Sequence, residues 1–273
     1  MKQDWTGERL ETFISNETML EHLHRYAISL ELVKGKKVLD IACGEGYGVN
    51  LLAQYASHVT GIDIDNSTIQ KAKKKYQKEN IIFLTGSALQ LPSENHSFDV
   101  ITCFETLEHL TEHDRLLKEL KRVLAPGGIL LISTPDKLNY SDNPHYKNPF
   151  HQKELYEQEF KELLRNFFSY SFFFKQSFCS GSVIWDEKNT SLEEFYSGNY
   201  TTIKSNSAIS TMYWIGMASD TVLTALPCSI FQHEKKMSQL LFEEAEAVKK
   251  TLTYRVGDML LYPFKFIRAL FRK

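Results

Sequence analysis

The sequence predicts an α/β protein built on a doubly wound, mostly parallel sheet, and three observations carry that prediction. Short apolar runs of strand length alternate with helix-like segments, the order that produces parallel βαβ units. The first run, Val38-Leu39-Asp40-Ile41, passes through Ala42-Cys43 into Gly44-Glu45-Gly46-Tyr47-Gly48, a strand turning tightly into a helix. The second, Val59-Thr60-Gly61-Ile62, ends on Asp63, 23 residues after Asp40.

Each element follows in turn. Gly44 and Gly46 can take φ > 0 and leave the main chain bare for a ligand. A dinucleotide site would place a third glycine three residues after the second, where Val49 stands. Asp40, four residues before Gly44, suits a pyrophosphate badly and a cationic ligand well. Asp63 lies where an α/β nucleotide fold puts its ribose-binding carboxylate, and Ile64 beside it offers an apolar edge. A helix over Ser67 to Lys78 follows, with Asp65 or Asn66 as its cap. Ile81 to Leu84 is a third strand leading to Gly86-Ser87-Ala88-Leu89. Phe98 to Cys103 is a fourth, running out through Phe104-Glu105-Thr106-Leu107-Glu108-His109. A helix over Arg115 to Leu124 stops at Ala125-Pro126-Gly127-Gly128, and Ile129 to Pro135 is strand five. The aromatic run Phe167 to Phe174 fits a strand at the end of the sheet, with Met212 to Ala218 as its antiparallel partner.

These motifs, in this order between residues 38 and 135, resemble the class I S-adenosylmethionine-dependent methyltransferases. The resemblance implies a Rossmann-like, seven-stranded sheet with an antiparallel last strand, and S-adenosyl-L-methionine as cofactor. It places Asp40, Cys43, Gly44 and Gly46 at the cofactor turn, Asp63 on the ribose diol and Ile64 against adenine. Ser87 stands where the family usually has an acid facing the adenine amino group; its hydroxyl can still accept. Ala88 and Phe104 complete the implied contacts. An N-terminal helix around Glu21 to Ala27 would cover the pocket, bringing Arg25 and Tyr26 to the cofactor's carboxylate. The same segment also reads as a solvated amphipathic helix whose buried side is Leu20, Leu23 and Ala27. Two competing classes are an NAD-dependent oxidoreductase, disfavoured by Val49 and Asp40, and a catalytically silent binding module, disfavoured by the intact Asp40, Gly44, Gly46 and Asp63.

The loop after strand five, residues 136–155, is long, polar and aromatic, and leaves the carboxyl edge of the sheet where ligands bind. An alcohol acceptor needs a general base. His109 and His151 are the candidates, with Glu108 or Asp136 orienting whichever acts. No metal-binding constellation stands out in the sequence. The segment Asn148-Pro149-Phe150-His151-Gln152-Lys153-Glu154, with Glu21-His22-Leu23-His24-Arg25-Tyr26, resembles a bacterial subgroup associated with cell-surface glycan synthesis. A sugar hydroxyl of a glycan, or of its lipid- or nucleotide-linked precursor, is the acceptor this implies; N- or C-methylation of another small molecule is the alternative.

The 273 residues, 42% hydrophobic and 24% charged with net charge -2, allow one large α/β domain with additions. The near-neutral charge gives no argument for a nucleic-acid partner, since binding phosphates needs a basic face. Cys43, Cys103, Cys179 and Cys228 show no C-x-x-C spacing, which fits a reducing cytoplasm. Neither a secretory signal nor a membrane span is read; the apolar region Trp214 to Phe231 is broken by Asp220 and Pro227 and reads as buried strands and turns. The expected organisation is a helical cap over 1–34, the main domain over 35–231 with a polar insertion at 187–207, and a C-terminal region over 232–273. In that last region Glu234 to Leu252 reads as a polar helix. Lys265, Arg268 and Arg272 then face away from Phe264, Ile267, Leu270 and Phe271, the pattern of a helix lying in the inner-membrane interface or docked on protein. Oligomeric state is not legible.

Overall fold

The computed structural model describes Leu10 and residues 16–179, 195–198, 203–206, 210–232, 237–257 and 259. The chain divides into two compact units, Met1–Phe231 and Gln232–Lys273. In the second, α6 (below) is Met237–Lys249, and the basic-aromatic pattern of residues 264–272 lies outside the described residues. Among the described residues no helix is long and apolar enough to cross a membrane.

The first unit runs α1 (Glu17–Ser29), β1 (Lys37–Ile41), α2 (Tyr47–Leu52), β2 (His58–Asp63), α3 (Asn66–Lys75), β3 (Ile81–Thr85) and β4 (Phe98–Cys103). A single 3-10 turn, Leu107–His109, precedes α4 (His113–Val123) and β5 (Leu124–Pro135). A π turn, Leu138–Asp142, and α5 (Glu157–Phe167) lead to β6 (Tyr170–Gln176), the short hairpin β7 (Phe195–Gly198) and β8 (Ile203–Asn206), and β9 (Tyr213–Ser219). α6 (Met237–Lys249) belongs to the second unit.

Seven strands form one sheet in the order β3-β2-β1-β4-β5-β9-β6. β1 to β5 are parallel, and β9 is antiparallel to both β5 and β6. The expected sheet is therefore present. Alternation along each strand sends successive side chains to opposite faces. Leu39, Ile41, Ile101 and Leu130 pack with Leu116, Leu120, Phe160 and Leu164 of α4 and α5. Val38, Val59, Val100 and Leu131 pack with Tyr26, Val49, Leu52, Ile69 and Ala72 of α1, α2 and α3. Burying both faces explains why the strands read as near-continuous apolar runs. The order of strand addition across the sheet reverses at β1, with β2 and β3 on one side and β4 on the other, and the loops leaving the carboxyl ends of β1 and β4 flank that switch point.

Local signals set several boundaries as expected. Asp65 caps α3, its carboxylate accepting from Ser67 N at 2.8 Å, while Lys73, Lys74 and Lys75 occupy the last turn against the helix dipole. Others require correction. Ala125 to Gly128 do not form a turn ahead of strand five; β5 already begins at Leu124, which pairs with Phe98 across a register shift. Gly128 permits this, since a Cβ there would stand 2.9 Å from Asp99 O. The stretch before Phe167 is α5, with Phe160 and Leu164 buried one turn apart, so the edge strand starts only at Tyr170. Beyond Ser219 the apolar region is not buried strand: residues 220–232 form no regular element, and Val222 and Ile230 are exposed. The expected insertion contains the β7–β8 hairpin; its remaining residues lie outside those described.

Candidate functional site

The loops leaving β1 and β4 begin in unusual backbone. Ala42 and Glu105, at the strand exits, have φ of 53° and 47°. Such non-glycine conformations cost about 1–3 kcal/mol each and gather at ligand sites. Gly44 and Gly46 follow at φ 51° and 82°. The glycines divide their work. A Cβ on Gly44 would meet nothing within 4 Å, so this backbone is open to a ligand. A Cβ on Gly46 would come 2.6 Å from the Phe83 ring, and one on Gly48 2.0 Å from the Tyr26 ring. Gly46 was expected to bare the chain for a ligand, but packing demands its small size.

Asp63, at the end of β2, is buried and accepts from Gly44 N at 3.0 Å and Asp65 N at 2.9 Å. It thus ties the glycine turn to the next strand. A carboxylate has about four acceptor positions, so a ribose diol can join these bonds. Ile64 beside it is 73% exposed, a bare apolar edge of the kind adenine would cover. Ser87 Oγ accepts from Leu89 N at 3.2 Å and so closes its own turn before it serves any ligand. Ala88 packs against the core on the α4 side. Cys43 and Phe104 are buried in the opposite core, Phe104 edge-on to Tyr26 at 5.3 Å.

Asp40 is buried on β1 beside its register partner Thr102 of β4, which donates to it at 2.6 Å. Tyr26 OH donates to the other oxygen at 3.2 Å. Tyr26 was expected at the cofactor's carboxylate; its hydroxyl is instead directed at Asp40. Burial pushes the Asp40 carboxyl up from 3.8 to about 7, against the pull of the Thr102 and Tyr26 hydrogen bonds. A raised carboxyl keeps its proton in the folded chain where the unfolded chain has lost it. Stability conferred by this group is therefore full below about pH 4 and is lost as pH rises toward 7, by up to about 1.4 kcal/mol per unit. Glu21, also raised to about 7 by burial, has the same sign. Urea denaturation from pH 5 to 8 should show a shallower fall for Asp40→Asn than for the wild type. Parallel profiles would mean that Asp40 is ionised throughout.

The inner face of α1 is polar. Glu21, Arg25 and Ser29 are buried with Tyr26, whereas Leu20, Leu23 and Ala27, expected on that side, are only half-buried. Arg25 is 0% exposed. Its Nε donates to Gln176 Oε1 at 2.8 Å, its Nη2 lies 3.5 Å from Glu105 and its guanidinium lies over the Tyr213 ring. Both terminal nitrogens, Nη1 and Nη2, are buried with no hydrogen-bond partner. A buried cation with unsatisfied donors fits the carboxylate of an amino-acid-bearing ligand. With the open Gly44 and bare Ile64, these groups suit a molecule carrying an adenosine and an α-amino acid.

On the other side of the β4 exit, Glu108 and His109 in the 3-10 turn meet His151 from the loop after β5. One ligand-type atom from each lies within 4.8 Å of the other two. The His109 and His151 rings meet edge to face at 5.1 Å, and Tyr140 stacks on His151 at 5.3 Å. Gln152 N and Lys153 N both donate to Glu108 O, at 2.8 and 3.1 Å, which fastens the loop to the turn. Glu108 is buried, accepts from Thr134 Oγ1 at 3.3 Å and has its carboxyl held well above the usual range by burial, with Glu105 adding to the effect. The acid that orients His151 is neither Glu108 nor Asp136. Glu154 Oε1 lies 2.5 Å from His151 Nδ1, while the Asp136 carboxylate turns to Asn139 Nδ2 at 2.6 Å. The His-x-x-Glu spacing was a readable signal for Glu154. Nothing local announced Gln176, 151 residues from Arg25.

Comparison with known proteins points to a family. Residues 39–132 match a family described as a methyltransferase domain. The chain is 37% identical over 164 residues to a probable S-adenosylmethionine-dependent methyltransferase of Mycolicibacterium smegmatis, covering 58% of this chain and 62% of that protein. It is 33% identical over 139 residues to a ubiquinone biosynthesis O-methyltransferase of Coxiella burnetii, covering 49% and 58%. The matches thus span about three fifths of these relatives' own length. A solved S-adenosylmethionine-dependent methyltransferase from Archaeoglobus fulgidus superposes with a TM-score of 0.54 at 16% identity, over 75% of this chain and 94% of that one, a likeness of fold.

Proposed function

We propose that this chain is a class I S-adenosylmethionine-dependent methyltransferase, a reading supported by its match to a methyltransferase domain and by its relatives, and that it methylates a hydroxyl of a small ring-bearing acceptor, a sugar of a cell-surface glycan or of its lipid- or nucleotide-linked precursor. The observation that carries the oxygen acceptor is the meeting of Glu108, His109 and His151 beside the β4 exit. Transfer to oxygen requires the hydroxyl to lose its proton, and a cluster of two imidazoles and a carboxyl supports that reading. Around it Tyr146 and Phe150 are exposed on the 136–155 loop, aromatic faces suited to the apolar side of a ring. The relative named for ubiquinone biosynthesis is an O-methyltransferase for a small molecule, which supports the same acceptor class.

The cofactor supplies a methyl group already activated on a sulfonium. The chain's part is to hold and align. Gly44 and Asp63 would seat the nucleoside, Arg25 the carboxylate, and Asp40 would offer its negative charge on the glycine-turn side. Alignment of acceptor and donor can lower a barrier by several kcal/mol, of the order of 7–11 in the best oriented cases.

Asp63→Ala should weaken S-adenosylhomocysteine binding about tenfold or more in calorimetry, since hydrogen bonds to a charged group contribute about 1.5–3 kcal/mol. Unchanged affinity would reduce Asp63 to a tie between Gly44 and Asp65. The acceptor is tested by incubating labelled cofactor with nucleotide sugars, lipid-linked sugars and phenols. Label on a sugar oxygen supports the reading, and label only on phenols overturns the sugar part. Bound cofactor with no transfer to any hydroxyl overturns the O-methylation.

A further inference from the structure

We propose that Glu108, His109 and His151 form a binding site for a first-row divalent transition-metal cation. Among the described residues this is the one group of three whose ligand-type atoms lie within 4.8 Å of one another. The role of such a site in catalysis rests on the methyltransferase reading; its existence does not.

Two features distinguish it from a chance polar cluster. The first is the way the imidazoles are held. Nδ1 of His151 faces Glu154 Oε1 at 2.5 Å, and Nδ1 of His109 faces Phe150 O at 3.1 Å. A ring that donates through Nδ1 carries its lone pair on Nε2. Ligating histidines are held in this way, by a carboxylate or a backbone carbonyl on the far nitrogen. Both rings show it, from two separate segments of chain. The second is spacing. His109 Nε2 and Glu108 Oε1 are 3.9 Å apart, too far for a hydrogen bond. One cation can span that gap, because ligand distances of about 2.0–2.2 Å place two donors about 3–4 Å apart.

The site would close slightly on binding, because 4.8 Å exceeds the widest separation such a cation spans. Asn148 Nδ2 lies 3.1 Å from His151 Nε2 and would yield to the cation. Asn148 Nδ2 also donates to Tyr140 OH at 3.4 Å, and the bond from Phe150 N to Asn148 Oδ1 at 3.0 Å would serve as the pivot of that movement. Two imidazoles and a carboxylate suit Mn²⁺, Fe²⁺, Co²⁺ or Zn²⁺ better than Mg²⁺ or Ca²⁺, which prefer all-oxygen shells. Three protein ligands leave positions for water and an acceptor oxygen. A hydroxyl bound there would release its proton to water more readily. Its oxygen would then form the new bond to carbon as the carbon–sulfur bond breaks, leaving a neutral thioether.

The test uses the full chain freed of metal by chelation. Co²⁺ is titrated by visible absorption and Mn²⁺ by electron paramagnetic resonance. S-adenosylhomocysteine binding is measured in parallel. About one Co²⁺ per chain is expected, displaced by neither Mg²⁺ nor Ca²⁺ at equal concentration. Glu108→Gln, His109→Ala and His151→Ala should each weaken Co²⁺ about tenfold or more, and Glu154→Gln about 10–100-fold, as for outer-shell partners. Retained S-adenosylhomocysteine binding shows that a variant is folded; if a ligand variant fails there, Glu154→Gln decides. Absence of stoichiometric Co²⁺, or affinity indifferent to these substitutions, overturns the site and leaves the methyltransferase reading standing. Co²⁺ binding by a wild type that ignores S-adenosylhomocysteine would instead uphold the site and overturn that reading.

Discussion

His151→Ala should lower turnover on a hydroxyl acceptor by about 100-fold or more, with S-adenosylhomocysteine affinity nearly unchanged. The size of the effect follows from how firmly the ring is placed. Glu154 holds Nδ1 at 2.5 Å, Asn148 stands 3.1 Å from Nε2, and Tyr140 stacks on the ring face. A group so constrained from three directions has one orientation, and it meets Glu108 and the edge-to-face His109 ring in one cluster. Glu154→Gln keeps the shape but removes the charge behind the ring. It should give a smaller loss in kcat together with a shifted pH–rate profile, the signature of a positioning residue. Full rate in both His151→Ala and His109→Ala, measured by single-turnover label transfer, would mean that the transfer runs by proximity alone or that the acceptor is not an alcohol.

Arg25→Met should be among the most destabilising single substitutions in the chain. The guanidinium is completely buried, donates to Gln176 and lies beside Glu105, with Glu21 on the same inner face of α1. Removing one member of a buried charged group strands the others, at a cost of about 3–5 kcal/mol. Urea denaturation reads this directly. Arg25→Met with Glu105→Gln should recover part of the loss, because the stranded charge is then gone. Cofactor affinity should fall in the single variant and stay low in the double one, since the carboxylate would have lost its cation in both. Equal stability of wild type and Arg25→Met would show that the charge cluster does not hold α1 on the sheet.

Much of this fold was legible in the residues themselves. Parallel strands buried on both faces must be apolar throughout, so β1, β2, β4 and the core of β5 stand out of the sequence as runs. Gly44 and Gly46 take the positive φ expected of them because the turn out of β1 permits little else. Asp65 caps α3 by a bond only three residues long or shorter, and such short-range chemistry is readable without tertiary context. The boundaries that misled are those set by distant partners. Leu124 joins β5 because Phe98 is there to pair with it. α1 buries Glu21 and Arg25 instead of its leucines because Gln176 and Glu105 supply partners from far along the chain.

The sequence by itself determined the class of fold, the glycine turn out of β1 and the carboxylate at the end of β2, because each depends on backbone geometry and spacing within one βαβ unit. Only the tertiary structure decided how the cluster of Glu108, His109 and His151 is assembled. Glu108 and His109 leave one strand and His151 and Glu154 the loop after the next, and no local pattern says which ring nitrogen faces which carboxylate. That pairing is set by two backbone amides of one loop bonding to Glu108 O of the other. Contacts of that kind exist only once the sheet has brought the exits of β4 and β5 side by side.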